Sequence, residues 1–322
     1  MNSIERFSIP SPFDIGPVNC YFLSQDSPSL IDPGPATAEA YESLVNQITQ
    51  LGYDISDIEN VLITHPHLDH FGLVQQIADE TDAHVFAHEN AAPKLADPLG
   101  FFRQRQEYFR ELYSSMGVPT DKINTAVELT ESTVPYRQPV NVTDELRDGD
   151  TLDVGTELEA INTPGHSPGS LCYLAGSIMF TGDHVLPETT PNPFITLAPG
   201  SKSQRTRSLP AYLDSLEKVL EYNVSIGYGG HGEPIEDLHA RVRETIAHHE
   251  QRKQQMSSTI EDEEPVTAYE ILKIMFPDIT TSEILSGMSE VVGHLDLLEN
   301  EQRIKIRDQE GVTRYMLRRN DT

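Results

Sequence analysis

The sequence is poor in cysteine, in basic residues and in long apolar runs, and each shortage removes a class of protein. Only two cysteines occur in 322 residues, Cys20 and Cys172, each inside an apolar run. That is too few for a disulfide scaffold, so two buried free thiols in a reducing compartment are expected. No stretch approaches the roughly 18 apolar residues of a membrane helix. The opening MNSIERFSIPSPFDIGP has no basic region leading into an apolar core, so no secretory leader is visible and a cytoplasmic location is expected. Lys and Arg total 23 against 51 Asp and Glu, a formal net charge of -28. Such a surface repels nucleic acid and anionic membranes unless a local basic patch overrides it, and it also suits a salty cytoplasm. No internal repeat or low-complexity tract is present.

The length accommodates one large domain and a small one. NCYFLS and PSLIDPG read as short strands, followed by a helix from Thr37 to Gly52 with Tyr41, Leu44, Val45, Ile48 and Leu51 on one side. NVLIT and AHVFAH read as strands around the helix GLVQQIADET, an alternation that indicates an α/β layered core. A helical insertion at about 91–132 changes the rhythm. Its first helix, FFRQRQEYFRELYSSMG, is rich in aromatics; its second, TDKINTAVELTES, is capped by Thr120. Strands resume at TLDVG, ELEAINT, SLCYLAG and SIMFTGD, and a Pro/Thr-rich loop follows. A helix from Pro210 to Leu220, a strand at VSIGYGG and a charged helix from Pro234 to about Met256 complete a domain at 1–257. The acidic SSTIEDEEP reads as a linker into a second domain at 258–322, whose order of helix, helix and hairpin is the layout of a winged helix.

VLITHPHLDHFG packs His65, His67, Asp69 and His70 into six positions directly after an apolar strand. Chain alternation lets His65 and His67 point the same way, while Asp69 and His70 begin the next helix and turn toward a neighbouring point. One loop thus supplies four potential ligands, enough to begin two metal sites. Imidazole and carboxylate suit zinc, with iron or manganese as alternatives. TPGHSPGS, FTGDHVL and GYGGHGEP add His166, Asp183 and His231. Each follows one grammar: an apolar strand, a glycine that allows close backbone approach, then a ligand-type residue. A lone histidine in a loop is usually structural or exposed, and His84, His88, His239, His248, His249 and His294 are read that way.

In this order, THPHLDH, TPGHSPG, FTGDH and GHGEP resemble the metallo-β-lactamase superfamily, and NCYFL with LIDPG resembles its opening strands. The resemblance covers about residues 15–257, and the C-terminal module resembles a subgroup that includes β-lactamase-like protein 2. It implies an α+β fold, an αβ/βα sandwich with metals at one edge, followed by a small winged-helix domain. It also implies that His65, His67 and His166 hold a first divalent ion, that Asp69, His70 and His231 hold a second, and that Asp183 bridges them. Glyoxalase II-like hydrolases often show threonine after the bridging aspartate where this chain has His184. His184 is expected either to line the substrate pocket or to support the site structurally.

Two cations about 3.5–4 Å apart lower the pKa of a shared water toward neutrality and stabilise the oxyanion that its attack creates. The expected activity is therefore hydrolysis of a small-molecule ester, thioester or lactone by a bridging hydroxide that Asp69 orients and relieves of its proton. Phe101, Phe102 and Tyr108 of the insertion are expected either to grip an acyl chain or to pack in a helical core. The loop from Pro187 to Gly200 is expected to border the pocket. Two alternatives are an endoribonuclease acting on single-stranded RNA and a persulfide dioxygenase with a single iron. Against RNA, the helix at Ser282 to Glu301 carries Glu283, Glu290, Asp296, Glu299 and Glu301 and no Lys or Arg. Its apolar Ile284, Met288, Val291, Leu295 and Leu298 form a packing stripe. The module is accordingly expected to be a docking or homodimer element, with neither nucleic acid nor membrane as partner.

Overall fold

The computed structural model describes residues 4–24 and 26–319. Residues 1–3 of the opening stretch and 320–322 of the C-terminal module lie outside the described residues. Strand β1 (Ile4–Ile9) was not anticipated; it pairs antiparallel with β2 (Val18–Leu23), which is buried at all six positions. Full burial follows from cover on both faces. Tyr21 and Leu23 enter the space between two sheets, while Cys20 and Phe22 face helices, as strand alternation requires.

The first sheet continues through β3 (Ser29–Ile31), β4 (Asn60–Leu62), β5 (His84–His88) and β6 (Asp144–Leu146), parallel from β3 onward. Its outer face is covered by α1 (Ala38–Gln50), capped by Thr37, and α3 (Val74–Thr81). The short α2 (Leu68–Phe71) lies between β4 and α3. The second sheet runs β11-β10-β9-β8-β7, built from β7 (Thr151–Asp153), β8 (Glu157–Asn162), β9 (Leu171–Ala175), β10 (Ile178–Gly182) and β11 (Ile226–Gly229). Its outer face packs on α7 (Ser208–Val219) and α8 (Leu238–Glu263). The result is an αβ/βα sandwich. Cys20 and Cys172 are both buried and unpaired, in the two helix-facing cores. Among the described residues no helix is long and apolar enough to cross a membrane.

The insertion forms α4 (Ala92–Ala96), α5 (Pro98–Ser115) and α6 (Thr120–Leu129), then a 3-10 turn at Thr130–Tyr136. Pro119 occupies the cap of α6 and Thr120 is its first helical residue. Beyond α8 come α9 (Ala268–Met275), α10 (Ile284–Asn300) and the antiparallel hairpin β12 (Ile304–Gln309) with β13 (Val312–Leu317).

The expected linker is helix. Helix α8 starts later than expected and runs through SSTIEDE because Met256 and Ile260, one turn apart, are both fully buried, and it stops before Pro265. The insertion does not keep its rings to itself. Phe109, Tyr113, Ile123 and Val127 share one core with Met256, Ile260, Ile271, Met288 and Val291. Burying a side chain of this size contributes roughly 1.5–3 kcal/mol, so the insertion and the C-terminal module stabilise each other. The α10 stripe is covered within the chain, since α10 packs on α7, α8 and α9.

Candidate metal centre

The ends of β4, β10 and β11 and the loop before β9 meet at one edge of the sandwich. Backbone bonds stitch the sheets together there: Leu171 N donates to Thr64 O at 2.8 Å, and Asn19 N donates to Gly230 O at 2.7 Å. Chain approach is tight. A Cβ on Gly230 would lie 2.4 Å from Asp183 Oδ1 and 2.6 Å from His70 Cε1, so only glycine fits beside these donors.

His65 Nε2 lies 3.0 Å from His67 Nδ1, and His166 Nε2 lies 2.9 Å from the same atom. The outer nitrogens fix which atoms face inward. His166 Nδ1 donates to Asn192 O at 2.9 Å. His65 Nδ1 donates to Thr64 Oγ1 at 3.0 Å, whose hydroxyl donates in turn to Asp32 Oδ2 at 2.5 Å. Neutral rings held this way direct lone pairs at one another, an arrangement that a cation relieves. Tetrahedral zinc with nitrogen ligands near 2.05 Å would set such atoms about 3.3 Å apart. Burial, then the charges of neighbouring histidines, push His65 and His67 well below the usual imidazole range, which keeps them in the form a metal needs.

The second group is acidic. Asp69 Oδ2 lies 3.5 Å from His70 Nε2 and 3.3 Å from His231 Nε2. His70 Nδ1 donates to Asp32 Oδ2 at 2.8 Å, and His231 Nδ1 donates to Pro17 O at 2.7 Å, so both Nε2 atoms face inward. Burial alone would lower His70, but Asp69, Asp183 and Asp32 carry it well above the usual range. Asp183 stands between the groups: Oδ2 is 3.6 Å from His166 Nε2, and Oδ1 is 3.6 Å from His70 Nε2. His70 Nε2, His231 Nε2 and Asp183 Oδ1 are buried without a hydrogen-bond partner. Orphaned inward donors of this kind fit bound cations. The structure thus brings together all seven residues singled out from the sequence as ligands, in the groupings His65–His67–His166 and Asp69–His70–His231.

A cavity of about 380 Å³ opens over this edge, lined by His67, Asp69, Phe101, Phe102 and Phe194 among others, and a cleft of about 60 Å³ reaches His67 and His166. Phe194, from the loop after Asp183, sets its ring 5.8 Å from His67 and 5.6 Å from His166. A larger hollow of about 920 Å³, between the loop at Glu188 and α8 and α10, holds none of the seven donors.

Residues 13–231 match the family model described as Metallo-beta-lactamase superfamily. The chain belongs to this superfamily. It is 31% identical to the probable metallo-hydrolase YqjP of Bacillus subtilis over 298 residues, covering 92% of each chain. A crystal structure of a metallo-beta-lactamase family protein from Thermus thermophilus superposes with a TM-score of 0.81 at 26% identity over 98% of both chains. An atrochrysone carboxyl ACP thioesterase of Aspergillus fumigatus is 25% identical over 251 residues, 77% of this chain and 61% of that protein. Superfamily membership and the donor set together place the chain among metallo-hydrolases.

Two expected pocket residues stand elsewhere. His184 points into the core, its ring 5.2 Å from that of Tyr212; burial pushes it down to about 3, and it lines neither cavity over the donors. Tyr108 packs against the core shared by the insertion and the C-terminal module, because its place on α5 faces that core. Among the histidines read as ordinary, His248 and His249 approach Glu290, but Arg252 lies 3.7 Å from that carboxylate and already balances it.

Four residues were missed. Asp32, at φ 53 after β3, grips Thr64 and His70 from behind; its signal was an acid directly after an apolar strand, with the Pro-Gly following it rather than a glycine preceding it. Lys94, Arg105 and Arg137 line the cavity over the donors. Burial, then Arg105 and Arg137, push the Lys94 amine down to about 7.

Proposed function

We propose that the chain is a metal-dependent hydrolase that cleaves a small-molecule ester, thioester or lactone, using two divalent cations, most simply zinc, held by the seven donors. The observation that carries this reading is the convergence of inward lone pairs on both sides of Asp183, with buried orphan atoms in the second group. When bound, the cations supply Lewis-acid chemistry, lowering the pKa of water toward neutrality and offsetting charge on the cleaved carbonyl. The remaining tasks fall to the chain. Asp69 stands on the cavity wall and is the residue to orient attacking water and accept its proton. Phe101, Phe102 and Phe194 exclude bulk water from one side of the cavity and contact an acyl group. Thr64 and Asp32 hold His65 and His70 in the required tautomer.

The thioesterase relative supports an acyl bond over a phosphodiester. So does α10, which keeps its apolar stripe inside the chain and presents no Lys or Arg to a nucleic-acid groove. The complete second group supports two ions over the single iron of a persulfide dioxygenase. The reading is tested by assaying the metal-loaded, chelator-stripped and reloaded chain on thioesters, lactones, a β-lactam, a persulfide and a structured RNA. Thioester or lactone hydrolysis that disappears on stripping and returns on reloading supports it. Full hydrolysis by the stripped chain, or activity on RNA or persulfide alone, refutes it.

A further inference from the structure

Acids outnumber bases more than twofold in this chain, 51 to 23, so a basic side chain without an acid beside it stands out. The half-buried arginines outside the cavity are all ion-paired: Arg205 with Asp296, Arg241 with Glu244, Arg252 with Glu290 and Arg314 with Glu270. Arg105 and Arg137 are also half-buried, as is Lys94, yet among the described residues none of the three has a carboxylate within ion-pair distance. They come from three separate elements, α4, α5 and the end of the 3-10 turn, and line the same cavity as His67 and Asp69.

The guanidinium groups are held in place without being neutralised. Arg137 lies 3.9 Å over the Phe102 ring and donates to Thr133 Oγ1 at 2.9 Å; Arg105 lies 4.6 Å over Phe109. The Nε of each is buried without a partner. Glu131, the acid that acts most on Arg137, is exposed and accepts instead from Gln106 at 2.9 Å. Three basic groups crowded in one wall disfavour one another's charge, and an anion that arrives among them relieves that cost. Planar arginine forks on rigid aromatic supports suit a carboxylate or phosphate bound through paired hydrogen bonds.

We propose that Lys94, Arg105 and Arg137 bind an anionic group on the substrate, so that the bond cleaved beside His67 and Asp69 belongs to an ester or thioester that also carries a carboxylate or phosphate. This rests on the hydrolase reading above for the cleaved bond, but not for the anion site. A cavity of about 380 Å³ holds both ends of a small molecule, with Phe101 and Phe102 against the segment between. The trio also explains how a strongly acidic protein accepts an acidic substrate: its repulsive surface is interrupted at the mouth of the site.

The test uses the full zinc-loaded chain and three aryl thioesters that differ at the far end of the acyl chain, ending in methyl, carboxylate or phosphate. The expected result is kcat/KM higher by about 10–100-fold for an anionic probe, the gain of a charge-assisted hydrogen-bonded pair. In the R105Q/R137Q double variant that ratio falls toward one, whereas R103Q, on the exposed side of α5, keeps the wild-type ratio. Which anionic probe leads separates carboxylate from phosphate. Direct calorimetric titration of glutarate and phenyl phosphate into wild-type and doubly substituted chain reads the site without turnover. Binding that the double variant loses supports the anion site even where no thioester is cleaved, an outcome that fails the hydrolase reading alone. No preference for an anionic probe together with no titratable binding overturns the proposal. So do variant chains, folded by circular dichroism, that keep the full preference, or RNA cleaved faster than any small anion.

Discussion

Asp32 accepts from His70 Nδ1 at 2.8 Å through the same oxygen that accepts from Thr64 Oγ1 at 2.5 Å. One carboxylate therefore sets the tautomer of a histidine in each donor group, His70 directly and His65 through Thr64. Loss of such an orienting partner typically costs roughly 10–100-fold in metal affinity or activity without removing a ligand. Asp32→Ala is expected to weaken zinc binding by about that factor in a competition titration with a chromogenic chelator. Asp32→Glu, which keeps the charge, is expected to recover part of the loss. Wild-type affinity in Asp32→Ala would remove Asp32 from the account.

Met288 of α10 is fully buried in the core that the insertion and the C-terminal module share. Met288→Ala is expected to cost about 2–5 kcal/mol in denaturant unfolding, through lost burial and the cavity left behind. Truncation after Glu263 would strip cover from Phe109, Tyr113 and Ile260. The truncated chain is expected to aggregate or to be digested rapidly at α5 in limited proteolysis. A stable, protease-resistant 1–263 fragment would restore the independent domain expected from the sequence.

The seven donors were legible in the sequence because each lies in the loop or first helical turn that follows an apolar strand, where local pattern and site coincide. The layered core was legible for the same reason. What lay across distant segments was not. SSTIEDEEP looked like a linker because its acids face solvent, while the buried Met256 and Ile260 that keep it helical have partners in α5, α6 and α10. Lys94, Arg105 and Arg137 are ordinary surface letters when read along the chain, carried by three different elements. Only their shared cavity makes them a group. His184 sits beside a ligand in sequence, yet the turn after β10, closed by His184 N donating to Thr181 O at 2.9 Å, sets it in the core against Tyr212.

His249 and His294 join α8 to α10 through a contact of 3.4 Å, with His294 Nδ1 donating to Glu290 O at 2.8 Å. Burial pushes His249 down to about 3 and His294 down to about 4, against an ordinary 6.5. The unfolded chain thus binds protons more readily than the folded chain between those values. Stability is expected to be full above pH about 6.5 and to fall as the pH drops from there toward about 4, by up to roughly 1.4 kcal/mol per pH unit for each histidine. Unfolding midpoints across this range check the slope. His294→Asn is expected to flatten the slope whatever it does to the plateau, and an unchanged slope would assign the acid sensitivity elsewhere.

The most direct test of the central claim is metal stoichiometry by elemental mass spectrometry on carefully desalted chain, read beside His67→Ala and His231→Ala. The account predicts about two ions per wild-type chain and about one in each variant, since each substitution removes one ligand from one group. Wild-type chain that holds no metal at micromolar zinc, or variants that keep the wild-type ratio, would contradict it.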